Sequence, residues 1–545
     1  MSVHNRKKQA VTITSADISA FIVRVLVSAY TILLFVLLPL CYRDNYYDIG
    51  DFKYELFLKL TLWMLALIVP ALLFYFISNC CCHTWKGTTV RQFFSSLSLL
   101  DRFVLLYLLA CLISFVLSNY NTWQFFGEDA SNPAWFGYNG WYMGLRTQLM
   151  LIALYFLVSR FFMKSWKFDL LICVLGASFL VFLLGILHRF LIDPLGLYEG
   201  IDASYHILFL STIGQATWYS SFLCTIFPLG LFLFWYCDKT WQRIALGIYA
   251  AVGFASLVTQ NSDSAYLALA AFLSVLFLFS FQSVKHLRRF LEVLLTAALS
   301  MRVVGILQLI FTDRAVRLEK LSAFLSQNPL VWIVIFLIAL LYFLLIFMDT
   351  NGRFSINSVK WAQKLGLIFI IAALPLGILC IYLTTTGHAP AFFQNISYFV
   401  FNDDWGNSRG FTWKYSYSMF AEYPLSLKLF GIGSDCFASY TYAYHAADVS
   451  AKWGNSVLAN AHNEWLNTLL TTGLFGLVSY AGIFVSAFVS FVKKQKDSIY
   501  LLAAAGCIAS YFFHNMFCYQ QVVCTPFIFL VIGLAEFIMR ENKTA

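Results

Sequence analysis

Apolar runs long enough to cross a lipid bilayer recur along almost the whole chain. A transmembrane helix needs about 20 apolar residues, because each residue advances it by about 1.5 Å through a hydrocarbon core of roughly 30 Å. Hydrophobic residues make up 60% of the 545 residues and charged residues 12%, which is more apolar than soluble domains. The pattern predicts an all-α, polytopic integral membrane protein with about 14 transmembrane helices. The predicted spans are 19–42, 56–78, 103–119, 143–163, 170–191, 216–237, 244–260, 265–284, 290–312, 328–349, 365–385, 464–492, 499–517 and 520–539.

Basic residues fall in alternate connections between these spans, and Lys and Arg are held on the cytoplasmic side when loops are short. The other connections, including 43–51, 126–140 and 193–202, are acidic or aromatic. We therefore predict that both termini are cytoplasmic. The net charge of +9 reflects this topology, so the expected partner is the lipid bilayer and not nucleic acid. The basic residues are Arg6, Lys7, Lys8, Lys86, Arg91, Lys164, Lys167, Lys239, Arg243, Lys285, Arg288, Arg289, Arg353, Lys360, Lys364, Lys493, Lys494, Lys496, Arg540 and Lys543.

One connection, 386–462, is far longer than the rest. It contains the amphipathic stretch GFTWKYSYSMFAEYPL, with Trp413, Tyr417 and Phe420 at helical spacing, and then the turn LFGIGSDCF. Loops of this length without secondary structure are uncommon unless they are functional. We predict three parts: a transmembrane bundle of about 11 spans (1–385), an extracytoplasmic catalytic loop with short amphipathic helices (386–462), and about 3 further spans (463–545).

Two residues of this region have the chemistry of an anion site. Arg409 is flanked by small residues that would let an anion approach, and His462 stands at the start of the next helix with Asn460 as a possible cap. Helix N-termini attract anions because their N–H groups are free. The alternative is structural: His462 and Asn463 cap a helix, and Arg409 reaches to lipid headgroups.

The segments SRGFTWKYSYSMFAEYPLSLKLFGIGSDCF and AHNEWLNTLLTTGLFGLVSY resemble the signature region of the O-antigen ligase and polymerase superfamily of bacterial membrane proteins. The likeness runs from Arg409 to Tyr480, with weaker similarity at STIGQATWYSSFL (211–223) and TQNSDSAYLALAA (259–271). It implies transfer of an undecaprenyl-pyrophosphate-linked glycan to an acceptor hydroxyl on a glycan or lipid-linked acceptor. It also implies a bacterial cytoplasmic (inner) membrane protein of surface polysaccharide assembly, with its site on the extracytoplasmic face.

The residues fit this chemistry without a cofactor or metal. A neutral imidazole with an ordinary pKa near 6.5 suits a general base for a sugar hydroxyl, and His462 is the candidate. A guanidinium stabilises the negative charge of a leaving pyrophosphate, and Arg409 is the candidate. Asn463 and Gln215 are further candidate substrate-binding residues. Gly473 and Gly476 are expected to allow close helix packing.

The second arginine of the family is missing, because the chain reads Asn261, Ser262, Asp263, Ser264 at its position. Asp263 then orients Arg409 or a sugar hydroxyl, or another cation supplies the charge. Charged residues at membrane depth are usually functional, which favours His188 with Arg189, although both are close enough to the outer boundary to reach it. Arg302 is equally consistent with a structural role. The candidate substrate-binding cations are Arg146, Arg189, Arg314 and Arg317.

Two other functions compete with glycan transfer from a lipid pyrophosphate. One is a metal-dependent glycosyltransferase that uses a lipid monophosphate sugar, with Asp44, Asp48 and Asp51 as the expected site. The other is a non-enzymatic lipid-glycan flippase, for which repeated halves would be expected, and no internal repeat is found. Polymerase and ligase differ only in their acceptor, and this choice, like the oligomeric state, stays open.

Overall fold

The computed structural model describes residues 13–82, 96–121, 132–454 and 456–544, and it is almost entirely helical. The long helices are α1 Ser15–Leu40, α2 Ile49–Cys81, α3 Leu99–Leu117, α5 Leu145–Phe161, α6 Lys167–Arg189, α7 Ala216–Tyr236, α8 Thr240–Thr259, α9 Ser264–Ser280, α10 Val284–Ile310, α12 Leu330–Thr350, α13 Lys360–Thr385, α19 Glu464–Lys493, α20 Ile499–His514 and α21 Thr525–Thr544. The short ones are α4 Pro133–Phe136, α11 Lys320–Gln327, α14 Ala391–Gln394, α15 Trp405–Glu422, α16 Leu425–Phe430, α17 Phe437–Tyr444 and α18 Ala446–Trp453. Strands β1 Phe209–Leu210 and β2 Gly214–Gln215 pair antiparallel.

The prediction of an all-α, multi-pass membrane protein is confirmed. Each predicted span coincides with a helix, and 10 helices of the described residues are long and apolar enough to cross a membrane. The total of about 14 crossings stays a prediction. One pair of bounds was wrong: α20 ends at His514 and α21 begins at Thr525, so a loop of residues 515–524 separates them where the predicted spans 499–517 and 520–539 nearly touch.

Contacts between loops connect segments that were predicted to lie on the same side. At one end, Asp101 pairs with Arg160 at 2.9 Å and also with Arg540, and Arg289 pairs with Asp238. At the other end, Tyr398 bonds to Asp263, and Arg409 bonds to the loop after α20. The basic residues Arg6, Lys7, Lys8, Lys86 and Arg91, the side chain of Lys543, and positions 126–131 of the connection 126–140 lie outside the described residues.

The helices that follow the long connection pack into the centre of the bundle. Helix α19 packs on α3, α21 on α5, and α20 on both α7 and α9. Helices α12 and α13 lie at the periphery, where few of their side chains are buried. The connection between α13 and α19 folds into the short helices α14 to α18, and these lie over the central helices.

Helix α19 is broken at Gly473, where the backbone takes a left-handed φ of 71°. The carbonyls of Leu470 and Thr471 accept hydrogen bonds from the amides of Ile432 and Gly433, at 3.2 and 2.9 Å. A Cβ on Gly473 would lie 2.3 Å from the backbone of Leu429. The turn that contains Gly431 and Gly433, here called the glycine turn, therefore packs with its backbone against the backbone at the start of α19. Gly473 has the expected packing role, because it lacks the Cβ that would prevent this contact.

Candidate active site

The guanidinium of Arg409 is held by backbone carbonyls and not by a carboxylate. Its Nε and Nη2 donate to the carbonyl of Phe517, at 3.2 and 3.0 Å, and its Nη1 donates to the carbonyl of Gly406 at 2.6 Å. Burial lowers the pKa of Arg409, but a guanidinium stays charged at neutral pH. Among the described residues, no carboxylate lies within ion-pair distance of it. Its positive charge is therefore available to an anion.

The backbone before Arg409 explains its position. Gly406, Asn407 and Ser408 all have left-handed φ angles, and the regular part of α15 begins after them. One of the small residues around Arg409, Gly410, has a packing role in the loop. A Cβ on Gly410 would lie 1.8 Å from the carbonyl oxygen of Asn402, so this glycine allows the loop to pack on itself.

The imidazole of His462 lies among aromatic rings. It is parallel to Trp453 at a centroid distance of 6.2 Å and edge-on to Tyr519 at 5.4 Å. Within the described residues, neither ring nitrogen has a hydrogen-bond partner. Burial, and then the charge of Arg409, lower the pKa of His462 to about 3, where an ordinary value was expected. The ring is neutral at neutral pH, with a free lone pair.

The start of α19 differs from the prediction in its cap. The N-cap is Asn463, whose Oδ1 accepts from the amide of Leu466 at 3.0 Å. The side chain of Asn460 instead accepts from the amide of His462 at 2.9 Å, which stabilises the left-handed φ of 49° at His462. Asn460 thus orients the histidine, and Asn463 has the structural role that was considered as the alternative.

The loop 515–524 is the part of the site that the sequence analysis missed. It supplies the Phe517 carbonyl to Arg409 and the Tyr519 ring to His462. The hydroxyl of Tyr519 also lies 3.4 Å from Oε1 of Gln215, so the predicted Gln215 does border the site. The available signal was the polar run HNMFCYQQ between two apolar spans.

Glu464 anchors this loop to the start of α19. Its buried carboxylate accepts from the hydroxyls of Tyr480 and Tyr511 and from the side-chain Nδ2 of Asn515. The backbone N–H of Glu464 donates to the backbone carbonyl of Asn515 at 2.9 Å. The neighbouring His514 bonds to Ser264 at 3.2 Å. One network therefore connects the His462 segment, the loop 515–524 and the loop that contains Asp263.

A small polar pocket with a cavity of about 20 Å³ lies beside His462, whose contacts Asn460 and Tyr519 belong to its lining. Asp435 is buried in it and accepts from the amides of Tyr138 and Met143, both at 2.8 Å. Burial raises the pKa of Asp435 to about 7. The other polar side chains of the lining include Gln148, Asn460, Asn467, Thr468, Tyr519 and Gln520. Amides and hydroxyls at this density can bind water or sugar hydroxyls.

The structure separates the predicted cations from one another. Arg189 is fully buried, and its guanidinium donates to the carbonyls of Thr259, His206 and Ile207. His188 is equally buried, accepts from the amide of Ser211 at 2.9 Å and lies 3.3 Å from Asp193. Both residues hold the loop before α7 and are not available to a ligand.

Arg302 likewise donates to the carbonyls of Ser326 and Gln327 at the end of α11, and none of the ion pairs among the described residues includes it. Arg146 bonds to the hydroxyl of Tyr54 and lies 4.7 Å from the ring centroid of Phe136. Arg314 and Arg317 are exposed, and within the described residues no ion pair involves either.

The carboxylate of Asp263 accepts from Tyr398 at 2.6 Å and lies beyond ion-pair distance of Arg409, although its charge still acts on the guanidinium. The nearby Asn261 bonds to the chain on both sides of Leu318: its Nδ2 donates to the Arg317 carbonyl at 2.9 Å, and its Oδ1 accepts from the amide of Glu319 at 3.1 Å. Arg317 is therefore held beside the loop that contains Asn261 and Asp263.

The acidic residues at the connection between α1 and α2 have other partners. Asp48 pairs with Arg43, and Asp51 accepts from Tyr142 at 2.8 Å, while Asp44 is exposed beside Arg43. Among the described residues, no group of three or more His, Cys, Asp or Glu side chains is arranged to hold a metal ion.

Residues 320–481 match the family model described as O-antigen ligase. The resemblance read from the motifs is thereby confirmed, and the matched region contains Arg409, the glycine turn and His462. The match supports an O-antigen ligase or polymerase type of role in polysaccharide assembly, on lipid-linked glycans, for this multi-pass membrane protein. A comparison with curated proteins gave no match.

Proposed function

We propose that this protein transfers a glycan from undecaprenyl pyrophosphate to a hydroxyl of an acceptor glycan, as a polymerase or ligase of surface polysaccharide. One observation carries the proposal: Arg409, which no carboxylate of the described residues neutralises, and His462, whose ring nitrogens are free, converge on the segment 517–519. The reaction needs a cation to stabilise the leaving pyrophosphate and a neutral base to accept the hydroxyl proton, and both lie in this partly buried site.

The reaction is a displacement at the anomeric carbon. The acceptor oxygen attacks this carbon, the bond from the carbon to the pyrophosphate oxygen breaks, and the hydroxyl proton moves to His462. The departing pyrophosphate gains negative charge, which Arg409 stabilises with donors that the Phe517 and Gly406 carbonyls hold in place. Because the donors are fixed before the reaction, little reorganisation is needed in the transition state.

Arg317 is our candidate for the second cation. Asn261 holds its backbone through the Arg317 carbonyl and the amide of Glu319, while the side chain is exposed and free to turn towards an anion. Arg314 is exposed in the same segment without this attachment, which makes it a matched control. Arg317→Gln should weaken donor binding more than Arg314→Gln, and equal effects would refute the assignment.

The site is proposed to face the extracytoplasmic side. Support comes from the charge distribution: the loops around Arg409 lie at one end of the bundle, and Arg160, Lys164 and Arg540 cluster at the other. Single cysteines introduced in the loop 515–524 should react with a membrane-impermeant maleimide in intact cells, and cysteines near Lys164 should not. Labelling at Lys164 alone would refute the orientation.

The test of the function is transfer by the purified full-length protein in lipid nanodiscs. A synthetic undecaprenyl-pyrophosphate glycan is the donor, and both a lipid-linked repeat and a terminal saccharide are offered as acceptors, so that the product distinguishes polymerase from ligase. We expect transfer that EDTA leaves unchanged. Loss in EDTA with recovery on adding Mg²⁺ would favour the metal-dependent alternative, and no transfer to either acceptor would refute the proposal.

A further inference from the structure

An apolar cleft opens at the end of the bundle opposite the candidate site. It lies between α1, α6, α7, α20 and α21, and its cavity has a volume of about 110 Å³. Tyr500 at the mouth stands at the beginning of α20, whereas His514 at the other end of α20 borders the candidate site. With about 1.5 Å per residue, the two regions are roughly 20 Å apart.

The walls of the cleft are hydrocarbon. Among its lining residues only Lys167, Thr225 and Tyr500 have polar side chains, and the hydroxyl of Thr225 is bonded to its own helix at 2.7 Å. The small side chains of Ala504 and Ala535 leave the space between the helices open. An apolar space of this kind stays free of water, and if it were empty its lining would lose dispersion contacts. A hydrocarbon chain is the occupant that fits.

The mouth of the cleft has a positive charge with no partner. Lys167 is exposed there, with its Nζ 5.8 Å from the ring centroid of Tyr500. Its neighbours are neutralised: Lys164 pairs with Glu541, and Arg160 and Arg540 pair with Asp101. For Lys167, no carboxylate of the described residues lies within ion-pair distance. Basic sites between transmembrane helices bind the headgroups of anionic lipids.

We propose that this cleft binds an acyl chain of an anionic phospholipid from the surrounding bilayer, with the headgroup phosphate at Lys167. The Tyr500 hydroxyl is placed to donate to the same phosphate. The site is separate from Arg409 and His462, and the proposal stands whether or not the protein transfers glycans.

Native mass spectrometry of the full-length protein tests the proposal, with phosphatidylglycerol and phosphatidylcholine titrated at matched acyl chains. Wild type should retain phosphatidylglycerol preferentially. Lys167→Gln should lower that preference by roughly fivefold, the effect of one basic residue at an anionic membrane surface. Lys494→Gln is the matched control, because Lys494 lies at the same end but pairs with Asp497 at 3.6 Å, away from the cleft.

A second variant tests the cleft itself. Ala504→Phe fills the space between α20 and α6, so retention of both lipids should fall, with thermal unfolding of each variant followed as the control for folding. A preference for phosphatidylglycerol that survives Lys167→Gln would overturn the proposal. So would equal retention of both lipids by the wild type, or displacement of the phospholipid by undecaprenyl phosphate at equimolar amounts.

Discussion

Arg409 and Phe517 are joined by a pair of hydrogen bonds, because Nε and Nη2 of the guanidinium donate to the same carbonyl oxygen at 3.2 and 3.0 Å. The two residues are more than one hundred positions apart in the chain, and the contact joins the long connection between α13 and α19 to the loop between α20 and α21. Since Nη1 is bonded to Gly406, the orientation of the guanidinium is set before any ligand arrives.

Replacing Arg409 with Lys should reduce transfer by roughly 10²-fold or more, although the charge is kept. A single ammonium cannot bond to Phe517 and Gly406 and also grip two phosphate oxygens, as the planar guanidinium can. The measurement is the initial rate with a lipid-linked donor. Lys414→Gln is the control, since Lys414 is exposed on the same helix and pairs with Asp403. Full activity in Arg409→Lys would show that Arg409 anchors its loop at the surface and does not bind the pyrophosphate through its planar group.

His462→Ala should leave a folded, inserted protein whose turnover falls by roughly 10²–10⁴, while donor binding survives. Asn463→Ala provides the contrast. It removes the N-cap bond to Leu466 and should lower stability by roughly 0.5–2 kcal/mol with turnover kept in the protein that folds. Turnover and thermal unfolding should be measured together, and a His462→Ala variant that loses only stability would contradict the catalytic assignment.

Donor binding should change the pH dependence of the reaction. In the free protein, burial and Arg409 hold the pKa of His462 at about 3. A bound pyrophosphate neutralises the Arg409 charge, so the pKa of His462 rises in the complex. A protonated ring cannot accept a proton. We therefore expect kcat to fall with decreasing pH at a higher pH than kcat/KM for the donor.

Initial rates between about pH 4 and pH 8 test this prediction: kcat should fall within this range, while kcat/KM should stay level, because its acid limb lies near the free-protein pKa of about 3. His462→Ala should abolish the acid limb of kcat, and circular dichroism at each pH serves as the control for folding. Coincident acid limbs for kcat and kcat/KM would show that the donor does not change the environment of His462.

Gly473→Ala should destabilise the protein strongly and reduce transfer. The added Cβ would lie 2.3 Å from the Leu429 backbone and prevent the docking of the glycine turn on α19. Gly387→Ala separates this clash from backbone strain, because Gly387 has a similar φ of 77° with no atom within 4 Å of its Cβ position. Thermal unfolding should give Gly473→Ala a free energy of unfolding that is lower than that of Gly387→Ala by roughly 1–3 kcal/mol. Equal destabilisation of the two variants would exclude the clash.

The sequence predicted the helices well, because an apolar run of sufficient length is a local property of composition. It also singled out Arg409 and His462, because they lie in a recognisable motif, and their catalytic roles stay a prediction. It missed Phe517, since a backbone carbonyl has no signature of its own, and it merged the loop 515–524 into adjacent apolar spans. Arg189 was misjudged for a related reason: a buried arginine has the same appearance in sequence whether carbonyls or a ligand accept its hydrogen bonds.

The break at Gly473 divides α19 into two parts that have different packing partners. Residues 464–472 are continuous in sequence with a membrane helix, but the carbonyls of Leu470 and Thr471 are bonded to the glycine turn, and Glu464 is bonded to Asn515 in the loop after α20. The short helical segment that follows His462 is thus structurally a part of the layer formed by the long connection. A chimera of two related proteins should keep its site intact when the exchanged block runs as far as Thr472, and lose it when the junction is placed at His462.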